Sequence, residues 1–304
     1  MSTDPPTTPP GRAAATPPTP SAASTVVGVI GDPVAHSLSP RLHNAAFTAL
    51  GLDWVSVGFP VADGKAAEAL VGARALGIRG LSVTMPHKDT VAAVVDRRTP
   101  LAERLGAVNC VSNQDGVLVG DSTDGPGLVE SLRRGAGFDP AGRRCLVVGA
   151  GGAARAVVAA LADAGAAAVI VVNRTASRGE AAARLAGPVG RLGRPEEADG
   201  CDLVVDATPA GMAGVARGDE ATPEHGSSPW ALDPALLGPD QLVVDLVYHP
   251  PVTPWLAAAA DRGATTLNGL GMLVHPAAHQ VVWWTGLAAP VDAMWRSVGG
   301  VTPG

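Results

Sequence analysis

The segment 144–178 constrains the fold more than any other part of the chain. It reads R-C-L-V-V-G-A-G-G-A-A-R-A-V-V-A-A-L-A-D-A-G-A-A-A-V-I-V-V-N-R-T-A-S-R. An apolar run, 145–148, meets Gly149-Ala150-Gly151-Gly152-Ala153-Ala154, then an Ala-rich stretch closed by Gly165, then a second β-branched run, 169–172. This order predicts strand, turn, helix and strand. Gly149, Gly151 and Ala154 fit G-x-G-x-x-G/A, whose small residues let backbone N–H groups and a helix N-terminus approach a pyrophosphate. Glycine and alanine are abundant throughout, so placement between two strands gives the pattern its weight.

An NAD site usually ends its second strand with Asp or Glu, which binds the ribose 2'-hydroxyl. Here that strand ends in Asn173-Arg174-Thr175, with Arg178 four residues beyond Arg174. Guanidinium groups grip phosphate as planar forks, so a 2'-phosphate is the fitting ligand and NADP is favoured over NAD.

A chain of 304 residues predicts two domains with ample apolar content for their cores. Cys110, Cys145 and Cys201 lack metal-ligand spacing and read as buried reduced thiols of a cytoplasmic protein, with no metal site. The net charge of -6 argues against a nucleic-acid binder, and no apolar run is long enough to span a bilayer. Residues 1–24, rich in Pro, Thr, Ser and Ala, lack the basic start and apolar centre of a signal peptide and read as a disordered tail. Of 22 basic residues only Lys65 and Lys88 are lysine, leaving 20 Arg. A surviving Lys hints at a place where a titratable ammonium is needed.

In chain order, 26–30 reads as a buried strand, followed by His36-Ser37-Leu38-Ser39-Pro40 ahead of a helix over 41–50. Ser37 and Ser39 suit either caps or ligands of a carboxylate, and local sequence does not choose. A strand over 54–59 and a helix over 63–76 precede a third strand, 80–84, that runs into Met85-Pro86-His87-Lys88. Thr84 and Lys88 thus fall at the carboxyl edge where α/β sheets place ligands, although a solvated Lys is the plainer local reading. A short helix over 101–105 follows, then strands over 107–111 and 117–119; Asn109 interrupts the first and needs partners if buried. Asp121, Ser122, Thr123 and Asp124 open a helix through 132, with more polar groups than capping needs. After the opening unit come a helix at 181–185, a strand at 203–209, a loop over 211–229, a strand at 242–248 ending in Tyr248, a helix at 253–260 and a strand at 264–267. The Trp-rich helical stretch 271–298 should dock on apolar surface.

Taken together the motifs resemble the shikimate dehydrogenase family. They are the His36 to Pro40 run, Val83-Thr84-Met85-Pro86-His87-Lys88, Gly106-Ala107-Val108-Asn109, Thr123-Asp124-Gly125-Pro126-Gly127, the glycine-rich turn, Asn173-Arg174-Thr175, Ala207-Thr208-Pro209-Ala210-Gly211-Met212 and Gly269-Leu270-Gly271-Met272-Leu273-Val274. The resemblance runs from residue 26 to about 286. It implies an α/β substrate domain over 25–125 and 270–300, an NADP-binding Rossmann domain over 126–269, and a C-terminal helical segment returning to the first domain. It further implies Lys88 and Asp124 as the catalytic pair, and Ser37 and Ser39 as ligands of the substrate carboxylate. Thr84, Asn109 and Asp124 would hold ring hydroxyls, Tyr248 would lie near the substrate, and Leu246 and Gly269 near the nicotinamide. The expected activity is NADPH-dependent, reversible reduction of 3-dehydroshikimate to shikimate, by a monomer or homodimer.

Four positions depart from the family pattern. Ser82 and Ser122 stand where Asn is usual, Asp206 where Asn is common, and Pro276 where a substrate-contacting Gln is usual. Loss of one such hydrogen bond would cost about 1–3 kcal/mol. Gln280, one helical turn on, is a candidate replacement. Pro276, Ser82 and Ser122 keep open a quinate or aminoshikimate dehydrogenase on the same fold; a non-catalytic nucleotide-binding regulator is a second alternative, against which the retained Lys88 and Asp124 argue.

Overall fold

The computed structural model describes residues 19–211 and 232–299. β1 (Thr25–Gly31), α1 (Ser39–Leu50), β2 (Trp54–Pro60), α2 (Ala66–Ala75), β3 (Gly80–Val83), α3 (Lys88–Val94), β4 (Arg97–Arg98), α4 (Pro100–Leu105), β5 (Cys110–Gln114) and β6 (Val117–Asp121) come first. Their strands form one mixed sheet in the order β2, β1, β3, β5, β6, β4, in which β5 runs antiparallel to both neighbours. After α5 (Asp124–Ala136) come β7 (Arg144–Val148), α6 (Gly152–Asp163), β8 (Ala168–Val172), α7 (Ala176–Ala183), β9 (Gly190–Leu192), β10 (Leu203–Asp206), β11 (Leu242–Asp245), α8 (Pro254–Asp261) and β12 (Thr265–Leu267). These strands make a second, wholly parallel sheet in the order β12, β11, β10, β7, β8, β9. α9 (Leu270–Thr285) and α10 (Val291–Ser297) return to the first sheet.

Helices cover both faces of the parallel sheet, so its inner strands are buried on either side and read as unbroken Val, Ile and Leu runs. One face packs on Leu128 and Leu132 of α5 and Val157, Val158 and Leu161 of α6; the other packs on Ala198, Leu237 and Leu256. The first sheet shares a core with the returning helices, where Val27, Leu42, Phe47, Val281, Trp284 and Met294 meet. Trp284 donates its indole N–H to the Val111 carbonyl at 3.0 Å. A Cβ on Gly80 would lie 2.3 Å from that nitrogen, so β3 is bare where the ring seats. The expected docking of the Trp-rich end is therefore specific to this one surface.

Several expected bounds shift. The strand expected over 107–111 begins only at Cys110, and the helix expected over 63–76 shortens to Ala66–Ala75. The helix expected at 181–185 starts at Ala176. The C-terminal helical stretch breaks after Thr285, where Gly286 takes φ +73° and Pro290 precedes α10. Of the expected loop over 211–229 only Gly211 is described, and 1–18 of the expected tail also lie outside the described residues. The tail's last residues are placed, with the Ser24 hydroxyl donating to Asp53 at 2.6 Å. Among the described residues no helix is long and apolar enough to cross a membrane.

Candidate active site

The first sheet's topology gathers three polar residues at one edge. β3 and β6 both end there, and β5, being antiparallel, begins there. Lys88 opens α3 after β3, Asp124 opens α5 after β6, and Asn109 immediately precedes β5. Lys88 Nζ donates to Asp124 Oδ2 at 2.5 Å. The side chains keep 20% and 11% of their exposure, so this is a largely desolvated pair that requires further hydrogen bonds to be tolerated.

Asn109 supplies them. Its amide donates to Asp124 Oδ1 at 2.5 Å and to Thr123 Oγ1 at 3.0 Å, while its carbonyl oxygen accepts the Thr123 N–H at 2.8 Å. The Asn109 backbone is pinned on both sides, donating to Asp121 O and accepting from Val83 N–H. His87, buried beside Lys88, donates from Nε2 to the Val61 carbonyl at 2.7 Å and anchors the loop. Both Asp124 oxygens are thus fixed, and the ammonium is held where a developing alkoxide would need positive charge and a proton.

Ser37 accepts the Ser39 N–H at 3.3 Å. Leu38 occupies the N-cap position and makes no side-chain cap, so the Ser37 hydroxyl is the side chain that answers a first-turn N–H of α1. The capping alternative is met in part, by Ser37 alone, and both hydroxyls stay at the helix start. Half-buried Tyr248, from the loop after β11, has its phenol pushed above the usual range by burial, partly offset by the backbone of Leu38 beside it. Thr84 follows β3 and packs its methyl over Gly31, where a Cβ would lie 2.4 Å from it. Among the described residues, none of Ser37, Ser39, Thr84 or Tyr248 hydrogen-bonds the Lys88–Asp124 pair.

Gln280 does not take the place opened by Pro276. It is 3% exposed and turned inward, toward His43, Asn109 and Thr123. The Pro276 ring packs instead on α5, where a Cβ on Gly127 would sit 2.4 Å from Pro276 Cδ.

The glycine-rich turn lies directly beside Lys88. Gly149 takes φ +112°, in the left-handed region, and a Cβ there would also approach the Ala207 carbonyl at 3.3 Å. Gly151 precedes α6 with nothing within 4 Å of a built Cβ, so its backbone is open to a bulky ligand. Ala150 and Ala153 flank these glycines with side chains no larger than a methyl. A Cβ on Gly152 would lie 3.4 Å from Lys88 Cδ, which brings the nucleotide-type turn against the lysine stem. Arg155 of α6 forms an ion pair with Asp89 of α3 and ties the two units together. Its charge within an Ala-rich buried helix is the sequence signal that marks it.

At the end of β8, Asn173 donates to the Thr175 carbonyl at 2.9 Å. Arg174 and Arg178 are exposed and, among the described residues, have no acidic partner. Two unanswered guanidinium groups beside an open turn fit a dinucleotide carrying a 2'-phosphate. Across the same edge Gly269 abuts Leu246, whose carbonyl oxygen would lie 2.0 Å from a Cβ on the glycine. Beside them Asp206, buried at the end of β10, has its pKa raised to about 7, first by burial and in smaller part by neighbouring Asp245.

A desolvated ammonium next to a dinucleotide-type turn, joining a mixed sheet to a parallel one, defines a nicotinamide-nucleotide-dependent oxidoreductase of two α/β units. Within that class the chain belongs to the shikimate dehydrogenase family. A family model for the shikimate dehydrogenase substrate binding domain matches residues 29–111. One for shikimate / quinate 5-dehydrogenase matches 134–210, and one for the shikimate 5'-dehydrogenase C-terminal domain matches 269–298. The shikimate dehydrogenase (NADP(+)) of Citrifermentans bemidjiense is 45% identical over 292 residues, covering 92% of this chain and 97% of that one. Among solved structures, shikimate 5-dehydrogenase of Thermus thermophilus in complex with NADP(H) and shikimate has TM-score 0.81 and 36% identity, covering 90% of this chain and 98% of that one. Quinate dehydrogenase of Corynebacterium glutamicum in complex with NAD has TM-score 0.78 and 30% identity, with the same coverage.

Proposed function

We propose that this chain reduces 3-dehydroshikimate to shikimate reversibly with NADPH, within the pathway to aromatic amino acids. The Lys88–Asp124 pair, held at 2.5 Å against Gly152, carries this reading. NADPH, when bound, supplies the hydride. Gly149, Ala150, Gly151, Gly152 and Ala153 would hold its pyrophosphate, Asn173, Arg174, Thr175 and Arg178 its 2'-phosphoadenosine end, and Leu246 and Gly269 its nicotinamide.

Hydride arrival at a ketone carbon leaves negative charge on oxygen. Lys88 stabilises that charge and gives up a proton to it; in the oxidative direction its neutral amine takes the proton back. Asp124, locked by Asn109, orients Lys88 and accepts a ring hydroxyl. Thr84 and Asn109 hold further hydroxyls, while Ser37 and Ser39 meet the carboxylate and Tyr248 lies near the substrate. Arginine at position 88 would keep the charge but not release the proton.

The substrate unit is assigned to 25–125 and 270–300, and the nucleotide unit to 126–269. The pathway and the three buried free thiols support a cytoplasmic enzyme. The test is the initial rate of NADP reduction with shikimate, beside quinate and beside NAD. Turnover on shikimate with NADP is expected; faster turnover on quinate would move the assignment to a quinate dehydrogenase, and faster turnover of shikimate with NAD would overturn the choice of cofactor.

A further inference from the structure

Behind the Lys88–Asp124 pair runs a buried polar chain that the chemistry above leaves unused. His43 of α1 is 0% exposed and Gln280 of α9 is 3% exposed. Gln280 Nε2 lies 3.4 Å from the Asn109 carbonyl and 3.5 Å from Thr123 Oγ1. A carbonyl only accepts, so the amide nitrogen must face it and Oε1 must face His43 Nε2, 3.2 Å away. An acceptor there requires the proton on Nε2. His43 Nδ1 is then bare and accepts the Ser56 hydroxyl at 3.0 Å. Burial keeps this ring neutral, with its pKa lowered to about 4, so one tautomer persists at working pH.

Donation therefore runs one way, from Ser56 through His43 and Gln280 to Asn109 and Thr123. From there the Asn109 amide donates to Asp124 Oδ1, whose other oxygen receives Lys88. We propose that Gln280, oriented by His43, is a positioning residue for the reduction: it holds Asn109 and Thr123 so that Asp124 stays turned to Lys88. The inference rests on the Lys88–Asp124 reading of the site. Gln280 reaches the reacting atoms only through these two residues, and it gives α9 a part in the chemistry beyond packing. Misplacing such a constellation by about 1 Å costs ~100-fold in rate, so small losses of order should be visible in turnover.

The test compares Gln280→Met and Gln280→Glu with the wild type in steady-state kinetics and thermal melting. Methionine keeps the length and fills the space, but removes the acceptor for His43 and the donor for Asn109. Glutamate keeps the acceptor and loses the donor. Both should lower kcat for shikimate by about 10-fold or more, with the KM for NADP within about twofold of wild type. The double variant Gln280→Met/Thr123→Val should be no slower than the slower single, because both act through one network. If Gln280→Met fails to fold, Gln280→Glu, still bonded to His43, carries the same comparison. A lowered Tm with kcat within about twofold of wild type in a folded variant, or fully additive losses in the double, would overturn the inference while leaving the activity intact. A wild type inactive on shikimate would overturn the proposed function, and this inference with it.

Discussion

The carboxyl edges of the two sheets hold charge in opposite ways. On the mixed sheet, Lys88 and Asp124 answer each other, and Asn109 satisfies the carboxylate oxygen left over. On the parallel sheet, Arg174 and Arg178 have no anion and Asp206 no cation among the described residues. The first edge is organised before any ligand arrives, which suits a site where charge develops during reaction. The second is completed from outside, which suits a site that selects a charged ligand. Substitutions at the first should therefore fall on kcat, and those at the second on cofactor affinity.

Lys88→Ala is the strongest test of that division. It removes the proton donor and the cation together, and kcat for shikimate oxidation should drop ~1,000-fold or more. The KM for NADP should change little. A residual rate within tenfold of wild type would break the comparison and revive a role for the chain as a nucleotide-binding regulator. Removal also strands Asp124, at a cost of about 3–5 kcal/mol, so melting must accompany the kinetics. Lys88→Arg separates the two losses, since it keeps a cation while withholding the proton.

Arg174→Ala probes the other edge with a smaller expected effect. A charge-assisted bond to phosphate contributes about 1.5–3 kcal/mol, so the KM for NADP should rise ~10- to 100-fold. The KM for NAD and kcat at saturating NADP should stay close to wild type. Equal weakening of both nucleotides would show that Arg174 does not read the 2'-phosphate.

How far each edge was legible in the sequence follows from the same contrast. The parallel sheet's edge announces itself because its chemistry is backbone chemistry, and close approach leaves glycines and bare Val runs at fixed spacing. The mixed sheet's edge is made by strands far apart in sequence. Asn109, expected inside a strand, lies just before one, because the antiparallel turn of β5 is a tertiary choice that no local pattern encodes. Gln280 illustrates the same limit. Helical spacing places it one turn from Pro276, but the packing of α9 against α1 and α5 turns it inward to His43. The strands β4 and β9, of two and three residues, carry too few positions to show a period, and pairing alone defines them.

Asp206→Asn addresses the unanswered carboxylate, and its effect should be the smallest. Asp206 ends β10 in register with Asp245 of β11, and its one backbone donor is the Thr208 N–H at 2.8 Å. Its ordinary value of 3.8 is raised to about 7 in the fold, chiefly by burial. Below pH 4 both folded and unfolded chains carry a neutral acid, and the group imposes no penalty. As pH rises from about 4 to 7 the unfolded chain ionises while the folded one stays protonated, so stability falls through that window and is flat above it. The full penalty is at most ~4 kcal/mol by linkage. Asparagine still accepts from Thr208 and never ionises. Its Tm should match wild type near pH 4 and exceed it by a few degrees at pH 8. A Tm difference that did not change between those two values would mean that Asp206 is ionised at neutral pH with a counter-charge nearby, and that the parallel sheet's edge is as internally neutralised as the other.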